Sequence, residues 1–151
     1  QYISWAKSVD GVGDAKCLPL WNGAGTVKVI IVDSEKQLAG SELINKVQSY
    51  IDEQCPIGAD VTVTTATAVS ISITFSADVD DGTLESIKSN IRSYLRDVSF
   101  ANGYVSYAKI GQTILNTDGV DDYSNLKINS KTENITISET EIAVLGGVAV
   151  G

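Results

Sequence analysis

Val69-Ser70-Ile71-Ser72-Ile73-Thr74-Phe75-Ser76, followed after a short acidic loop by Thr83-Leu84-Glu85-Ser86-Ile87 and a continuing apolar series at Ile91, Tyr94, Leu95 and Val98, decides the fold class. The first eight residues alternate apolar with hydroxyl side chains. In a strand that alternation turns one face to a core and the other to water. The period then changes. Leu84, Ile87, Ile91, Tyr94, Leu95 and Val98 fall on one side of a helix, with Thr83 as the expected N-cap and Glu85 in the first turn. A half-buried strand followed by an amphipathic helix is a unit of α+β architecture.

Upstream the same two periods recur. Val27, Val29 and Ile31 alternate in a β-branched stretch that ends at Asp33-Ser34, and Trp21-Asn22-Gly23-Ala24-Gly25-Thr26 supplies glycines for a hairpin with a strand at about 15–20. Ser41 stands where an N-cap hydroxyl is expected, ahead of Leu43, Ile44, Val47 and Ile51 on a helical stripe that Pro56, after Cys55, should stop. Gly58-Ala59-Asp60 leads into a strand at Val61 and Val63, which breaks around Ala66-Thr67-Ala68. Downstream, a third helix is expected at about 104–116 with Tyr107, Ile110, Ile114 and Leu115 inward. Strands are expected at roughly 122–128, 134–138 and 142–149, with a turn at Thr132-Glu133.

An internal echo links the two halves. Asp10-Gly11-Val12, Asp14, Leu18 and Leu20 correspond to Asp118-Gly119-Val120, Asp122, Leu126 and Ile128, every pair offset by 108 positions. In both places a helix is expected to end, Asp-Gly to turn the chain, and a strand to begin, with glycine supplying the backbone freedom a helix C-terminus needs. The expected organisation is therefore two small related α+β lobes, 1–66 and 67–151. Each is a mostly antiparallel or mixed sheet packed with one or two helices.

The 151 residues hold 43% hydrophobic and 20% charged side chains, proportions of an ordinary globular chain, and at this length one sizeable core or two adjacent small ones can form. Histidine is absent. That excludes Ser-His-Asp and Cys-His catalysis, His-ligated zinc and the usual near-neutral general base. A net charge of -8 repels phosphate backbones, so nucleic acid is not an expected partner. The longest apolar runs, Val29-Ile30-Ile31-Val32 and Ile142-Ala143-Val144-Leu145, fall far short of the ~20 residues of a membrane-spanning helix. The opening Gln1-Tyr2-Ile3-Ser4-Trp5 has neither an initiator Met nor a signal-peptide pattern, and reads as the start of a piece cut from a longer protein.

The remaining chemistry-bearing residues have plainer readings. Asp78-Val79-Asp80-Asp81-Gly82 fails as an EF-hand loop, because its Gly is fifth rather than sixth and Ser89 stands where the bidentate Glu belongs. It reads as a strand-to-helix loop whose acids favour the helix N-terminus. Asp121-Asp122, Glu139 and Glu141 lie in stretches that read as exposed, without the burial that raises a general acid's pKa. Gly11-Val12-Gly13 and Gly23-Ala24-Gly25 continue into neither a dinucleotide fingerprint nor a phosphate loop. Cys17 and Cys55 read as two small buried hydrophobes, with a disulfide between them left open. The sequon Asn134-Ile135-Thr136 reads as chance in a Thr-rich strand. Trp5, Trp21, Tyr50, Tyr94, Tyr104, Tyr107 and Tyr123 are set among apolar positions rather than basic ones, and read as core and interface anchors. No catalytic, cofactor-binding or metal-binding residue is assigned, and no cofactor is expected.

Four stretches in order carry a family resemblance. They are Asp10-Gly11-Val12-Gly13-Asp14-Ala15-Lys16, then Pro19-Leu20-Trp21-Asn22-Gly23-Ala24-Gly25-Thr26-Val27-Lys28-Val29, then Pro56-Ile57-Gly58-Ala59-Asp60-Val61-Thr62-Val63, and finally Gly119-Val120-Asp121-Asp122-Tyr123-Ser124-Asn125-Leu126, before the closing Val144-Leu145-Gly146. Together they resemble the C-terminal portion of baseplate J-like proteins, found in contractile-tailed bacteriophages, prophages and tail-like particles. Cys55 departs from the resemblance, standing where a basic residue is expected. The resemblance implies a non-enzymatic structural protein of the baseplate wedge, in the virion tail baseplate and assembled in the host cytoplasm. Its implied partners are other wedge proteins, with homo-oligomerisation open. The rival readings are an extracellular ligand- or glycan-binding module and a carboxylate-only hydrolase, which would need two acids facing one cleft ~5–10 Å apart.

Overall fold

A computed structural model describes residues 1–55, 58–100 and 103–151. The chain divides into two compact units, Gln1–Thr67 and Ala68–Gly151.

In the first unit, α1 (Tyr2–Lys7) precedes β1 (Val12–Pro19) and β2 (Thr26–Asp33), then α2 (Ser41–Gln54) and β3 (Asp60–Thr65). The expected hairpin is present: β1 and β2 are antiparallel from Val12↔Asp33 to Pro19↔Val27, with a bulge between Val12 and Asp14. Gly13 fills that bulge because a Cβ there would lie 2.1 Å from the Asp33 carbonyl oxygen. β2 and β3 are parallel, from Thr26↔Asp60 to Ile31↔Thr65. Parallel neighbours need a crossover, and α2 supplies it. Ala6, Ala15, Val29, Ile31, Val47, Ile51, Val61 and Val63 make the core beneath the helices. Ile30 and Val32 are buried as well, so β2 is apolar on both faces, as its unbroken Val29–Val32 run requires.

The expected cap of α2 needs correction. Gly40, with φ −75° and ψ 164°, holds the N-cap position without any side-chain bond, and Ser41 is already helical. The helix ends at Gln54, and Cys55 is extended; the expected stop at Pro56 lies outside the described residues.

β4 (Thr67–Ser76), whose first residue closes the first unit, leads into the second, which continues with α3 (Asp81–Val98), β5 (Tyr104–Val105), α4 (Tyr107–Leu115), β6 (Ser124–Ile128), β7 (Ile135–Thr136) and β8 (Glu141–Val150). β4 is central, in the order β6-β4-β8. β6 is antiparallel to it, with Ile73↔Ile128 and Thr74↔Lys127. β8 advances in the same direction as β4: Gly146 lies against Ser70, and the Gly151 amide donates to the Phe75 carbonyl. β5 and β7 form a separate two-stranded ladder. Ile71, Ile73 and Phe75 from β4, Ile87, Ile91 and Leu95 from α3, Ile110 and Ile114 from α4, and Leu126 and Ile128 from β6 build the core.

Four local expectations are revised. The N-cap of α3 is Asp80, whose carboxylate accepts from the Thr83 amide at 2.7 Å, so Thr83 is the capped residue and not the cap. α4 begins later than expected, since Tyr104 and Val105 are in β5 and Ser106 is its N-cap. Leu115 is 44% exposed. Tyr107, Ile110, Gly111 and Ile114 define that helix's inner stripe, and Leu115 is rotated about 100° past Ile114, off its edge. The tight reversal before β7 lies at Asn129 and Ser130, both left-handed with φ 51° and 65°, closing an Ile128↔Lys131 bridge. Thr132 and Glu133 form only a bend beyond it.

The internal echo corresponds to one repeated piece of backbone. α1 ends at Lys7 and α4 at Leu115, again 108 positions apart. Ser8 donates to Ser4 and Val9 to Ala6; Asn116 donates to Gln112 and Thr117 to Ile114. Val12 and Val120 then close the same turn on Val9 and Thr117, each at 3.2 Å. Gly11 (φ 101°) and Gly119 (φ 95°) take the positive-φ step. In each unit the edge strand that follows, β1 or β6, lies antiparallel to the central strand.

Candidate functional site

The acidic residues are placed for structure. Asp80 is fully committed to the α3 cap, and the Thr83 backbone amide, helped by its side chain, holds the Asp80 carboxyl below the usual aspartate range. Glu141 accepts from the Ser138 amide at 2.9 Å, and that bond lowers its pKa too. A general acid needs the opposite shift. Asp122 accepts from the amide of Tyr123 next to it, and Asp14 lies 3.8 Å from both Lys7 and Lys36. Among the described residues, no group of three or more His, Cys, Asp or Glu side chains could hold a metal ion.

Cys17 and Cys55 are free thiols, and both are half-buried rather than fully buried. Desolvation, with the Asp52 carboxylate nearby, raises the Cys55 pKa and keeps it in the unreactive thiol form. Asn134, the sequon residue, has a structural task. Its side-chain oxygen accepts from the Tyr107 amide, while Ser106 accepts from Lys109, so the first turn of α4 is capped twice.

The aromatic residues divide between core and surface. Tyr2 and Trp5 pack edge to face on the first core, as do Phe75 and Tyr123 in the second. Tyr107 donates through its hydroxyl to the Leu126 carbonyl, and the Tyr94 hydroxyl accepts from the Ser106 amide. The outward group is the β1–β2 hairpin tip. Leu20 is 65% exposed and left-handed, with φ 59°, and Trp21 is 44% exposed with the Lys28 ammonium 5.0 Å from its ring centroid. Tyr104 is also exposed. The tip offers projecting apolar side chains, and an open cavity elsewhere in the first unit is lined by polar groups, among them Asp10, Asp33, Glu42 and Lys46. The sequence reads Trp21 and Tyr104 as core or interface anchors, and both are exposed; for Trp21 the glycine-rich hairpin turn that follows it was the available signal.

The fold defines a chain of two α+β modules in tandem. The baseplate J-like central domain matches residues 1–65 and the baseplate J-like protein C-terminal domain matches residues 67–151, so the chain belongs to the baseplate J-like family. The phage-like element PBSX protein XkdT of Bacillus subtilis is 37% identical over 99% of this chain. The putative protein JayE of Escherichia coli is 26% identical over 98% of it. The chain spans 46% of the first relative and 57% of the second. A chain of the anti-feeding prophage baseplate, solved by cryo-electron microscopy, shares the fold with a TM-score of 0.73 at 8% identity, over 95% of this chain and 36% of that one. No helix among the described residues is long and apolar enough to cross a membrane.

Proposed function

We propose that this chain is a structural part of a contractile-tail baseplate wedge and works by assembling with other wedge proteins in the virion tail. One observation carries the reading: the two baseplate J-like domains follow one another and between them account for residues 1–65 and 67–151. The placement of the acids supports a non-enzymatic role. Asp80 and Glu141 are held ionised by backbone bonds at a helix cap and a turn, and the exposed apolar side chains of the β1–β2 tip suit a protein contact. Assembly in the host cytoplasm, before incorporation into the particle, belongs to the same proposal.

Co-expression with neighbouring baseplate proteins, followed by sizing and native mass measurement, tests it. A complex of fixed stoichiometry is the expected result. A chain that stays folded yet elutes alone with every baseplate protein offered would overturn the reading.

A further inference from the structure

Among the described residues β3 has one sheet neighbour, β2. Asp60 donates to the Gly25 carbonyl and Ala66 to that of Ile31, so the even-numbered residues of this strand bond to β2 and the odd-numbered ones turn their amides and carbonyls to the other side. That outer row is where a further strand would add. Its centre is occupied by a side chain. The Gln48 carboxamide, projecting from α2, accepts from the Val63 amide at 2.8 Å and donates to the Val61 carbonyl at 2.9 Å. Its second N–H donates to Asp52, one helical turn on, at 2.9 Å, which fixes the orientation of the amide. Gln48 thus fills the two bonding positions, the Val61 carbonyl and the Val63 amide, that two successive peptide units of a neighbouring strand would fill.

The second unit uses the same pattern. Past the end of β6, the Asn129 carboxamide accepts from the Ser72 amide at 2.8 Å and donates to the Ser70 carbonyl at 3.1 Å, while its own amide donates to Ser72. Left-handed backbone at Asn129 turns the main chain away there, and the side chain continues the bonding in its place. Each carboxamide therefore bridges the carbonyl of one strand residue and the amide of the residue two positions later.

We infer that Gln48 is an edge guard: its carboxamide closes the outer edge of β3 against strand addition by a second copy of this chain. A second copy is the occupant because backbone pairing needs no particular side chains, and two β3 edges can meet antiparallel about a two-fold axis, each satisfying the other. This stands independently of the baseplate reading.

The test compares Gln48→Ala and Gln48→Glu with the unaltered chain, by sedimentation equilibrium over a range of concentrations and by hydrogen exchange at the Val63 amide. In Gln48→Ala, the mass should climb with concentration toward about double that of the unaltered chain, as expected for a two-fold dimer. Val63 protection should be lost when dilute and regained when concentrated. Gln48→Glu keeps an acceptor for Val63 and puts a charge on the edge, so it should not associate. If Gln48→Ala fails to fold, Gln48→Leu, which keeps bulk and helix propensity, takes its place. The inference is overturned if the guardless variant matches the unaltered chain in mass and in concentration-independent exchange. It is also overturned if the Glu variant associates equally, or if both guardless variants unfold.

Discussion

Gly111 lies on the inner stripe of α4, and replacing it with alanine sets two effects of opposite sign against each other. In a helix interior the exchange ordinarily stabilises by about 1 kcal/mol, because glycine has more backbone freedom to lose. Here the new Cβ would lie 2.2 Å from the Tyr123 hydroxyl oxygen and 3.2 Å from its ring carbon. Relief requires that hydroxyl to retreat by roughly 1 Å toward a normal contact distance. Tyr123 is held edge to face on Phe75, with ring centroids 6.4 Å apart, so its retreat disturbs the core. Overpacking of this kind costs about 1–3 kcal/mol, and Gly111→Ala should therefore be neutral to about 2 kcal/mol destabilising. Tyr123→Phe removes the obstructing oxygen and leaves the ring carbon at 3.2 Å, which needs a shift of only a few tenths of an ångström, and the Leu126 methyl at 3.6 Å as an ordinary contact. In that background Gly111→Ala should recover most of its helix gain, giving a coupling of about 1–3 kcal/mol across the double-mutant cycle. Both tryptophans lie in the first unit, so tryptophan fluorescence follows that one. Urea unfolding by far-ultraviolet circular dichroism follows both units, and hydrogen exchange at Ile110 and Ile114 isolates the second. Additive effects, or a Gly111→Ala variant more stable than the parent, would refute the reasoning.

Three further outcomes follow from the same geometry. Gly11→Ala and Gly119→Ala each force an L side chain to φ near 100°, and the second also brings a Cβ to 2.7 Å from the Thr83 hydroxyl. Each should lose about 1–3 kcal/mol in urea titrations, with Gly119→Ala the worse. Asp80 and Glu141 have lowered pKa values in the fold, so the stability they contribute is present above the unfolded carboxylate range and lost as pH falls through the folded values. Thermal midpoints should drop below about pH 4, and Asp80→Asn, which keeps a capping oxygen without its titration, should flatten that drop. Tyr107→Phe removes the donor to the Leu126 carbonyl on β6 and should cost about 1 kcal/mol in the same urea titrations, while Tyr104→Phe should be neutral.

Elements whose packing face is written in local periodicity were legible. The alternation from Val69 to Ser76 and the stripe from Ile87 to Leu95 each put their apolar atoms where the core is, because a strand of period two or a helix of 3.6 has no other way to bury them. The Asp-Gly echo was legible for a similar reason. Positive φ after a helix calls for glycine, and Gly11 and Gly119 both supply it. Helix starts were less so. Asp80 and Thr83 are both good capping residues, and only the extended backbone at Asp80 selects it over its neighbour. Sheet order was hidden, since nothing local in Val61 or Val63 specifies a parallel neighbour in β2. Hidden too were the carboxamide bridges, which join Gln48 to Val61 and Val63, 13 and 15 residues away, and Asn129 to Ser70 and Ser72, 59 and 57 away. For the candidate site, Leu20 and Trp21 precede a glycine-rich stretch that already reads as a hairpin turn. How far each side chain stands out from that tip, 65% and 44% exposed, is a property of the folded chain.

Composition of the particle measures most directly whether this chain works as a fixed part of a tail baseplate. Tail particles purified from the host, and quantified by isotope-labelled mass spectrometry against sheath and tube proteins, should contain its peptides at a constant ratio to the other baseplate proteins, with cross-links to them. Intact contractile particles that lack the chain, recovered from cells in which it is abundant, would contradict the account.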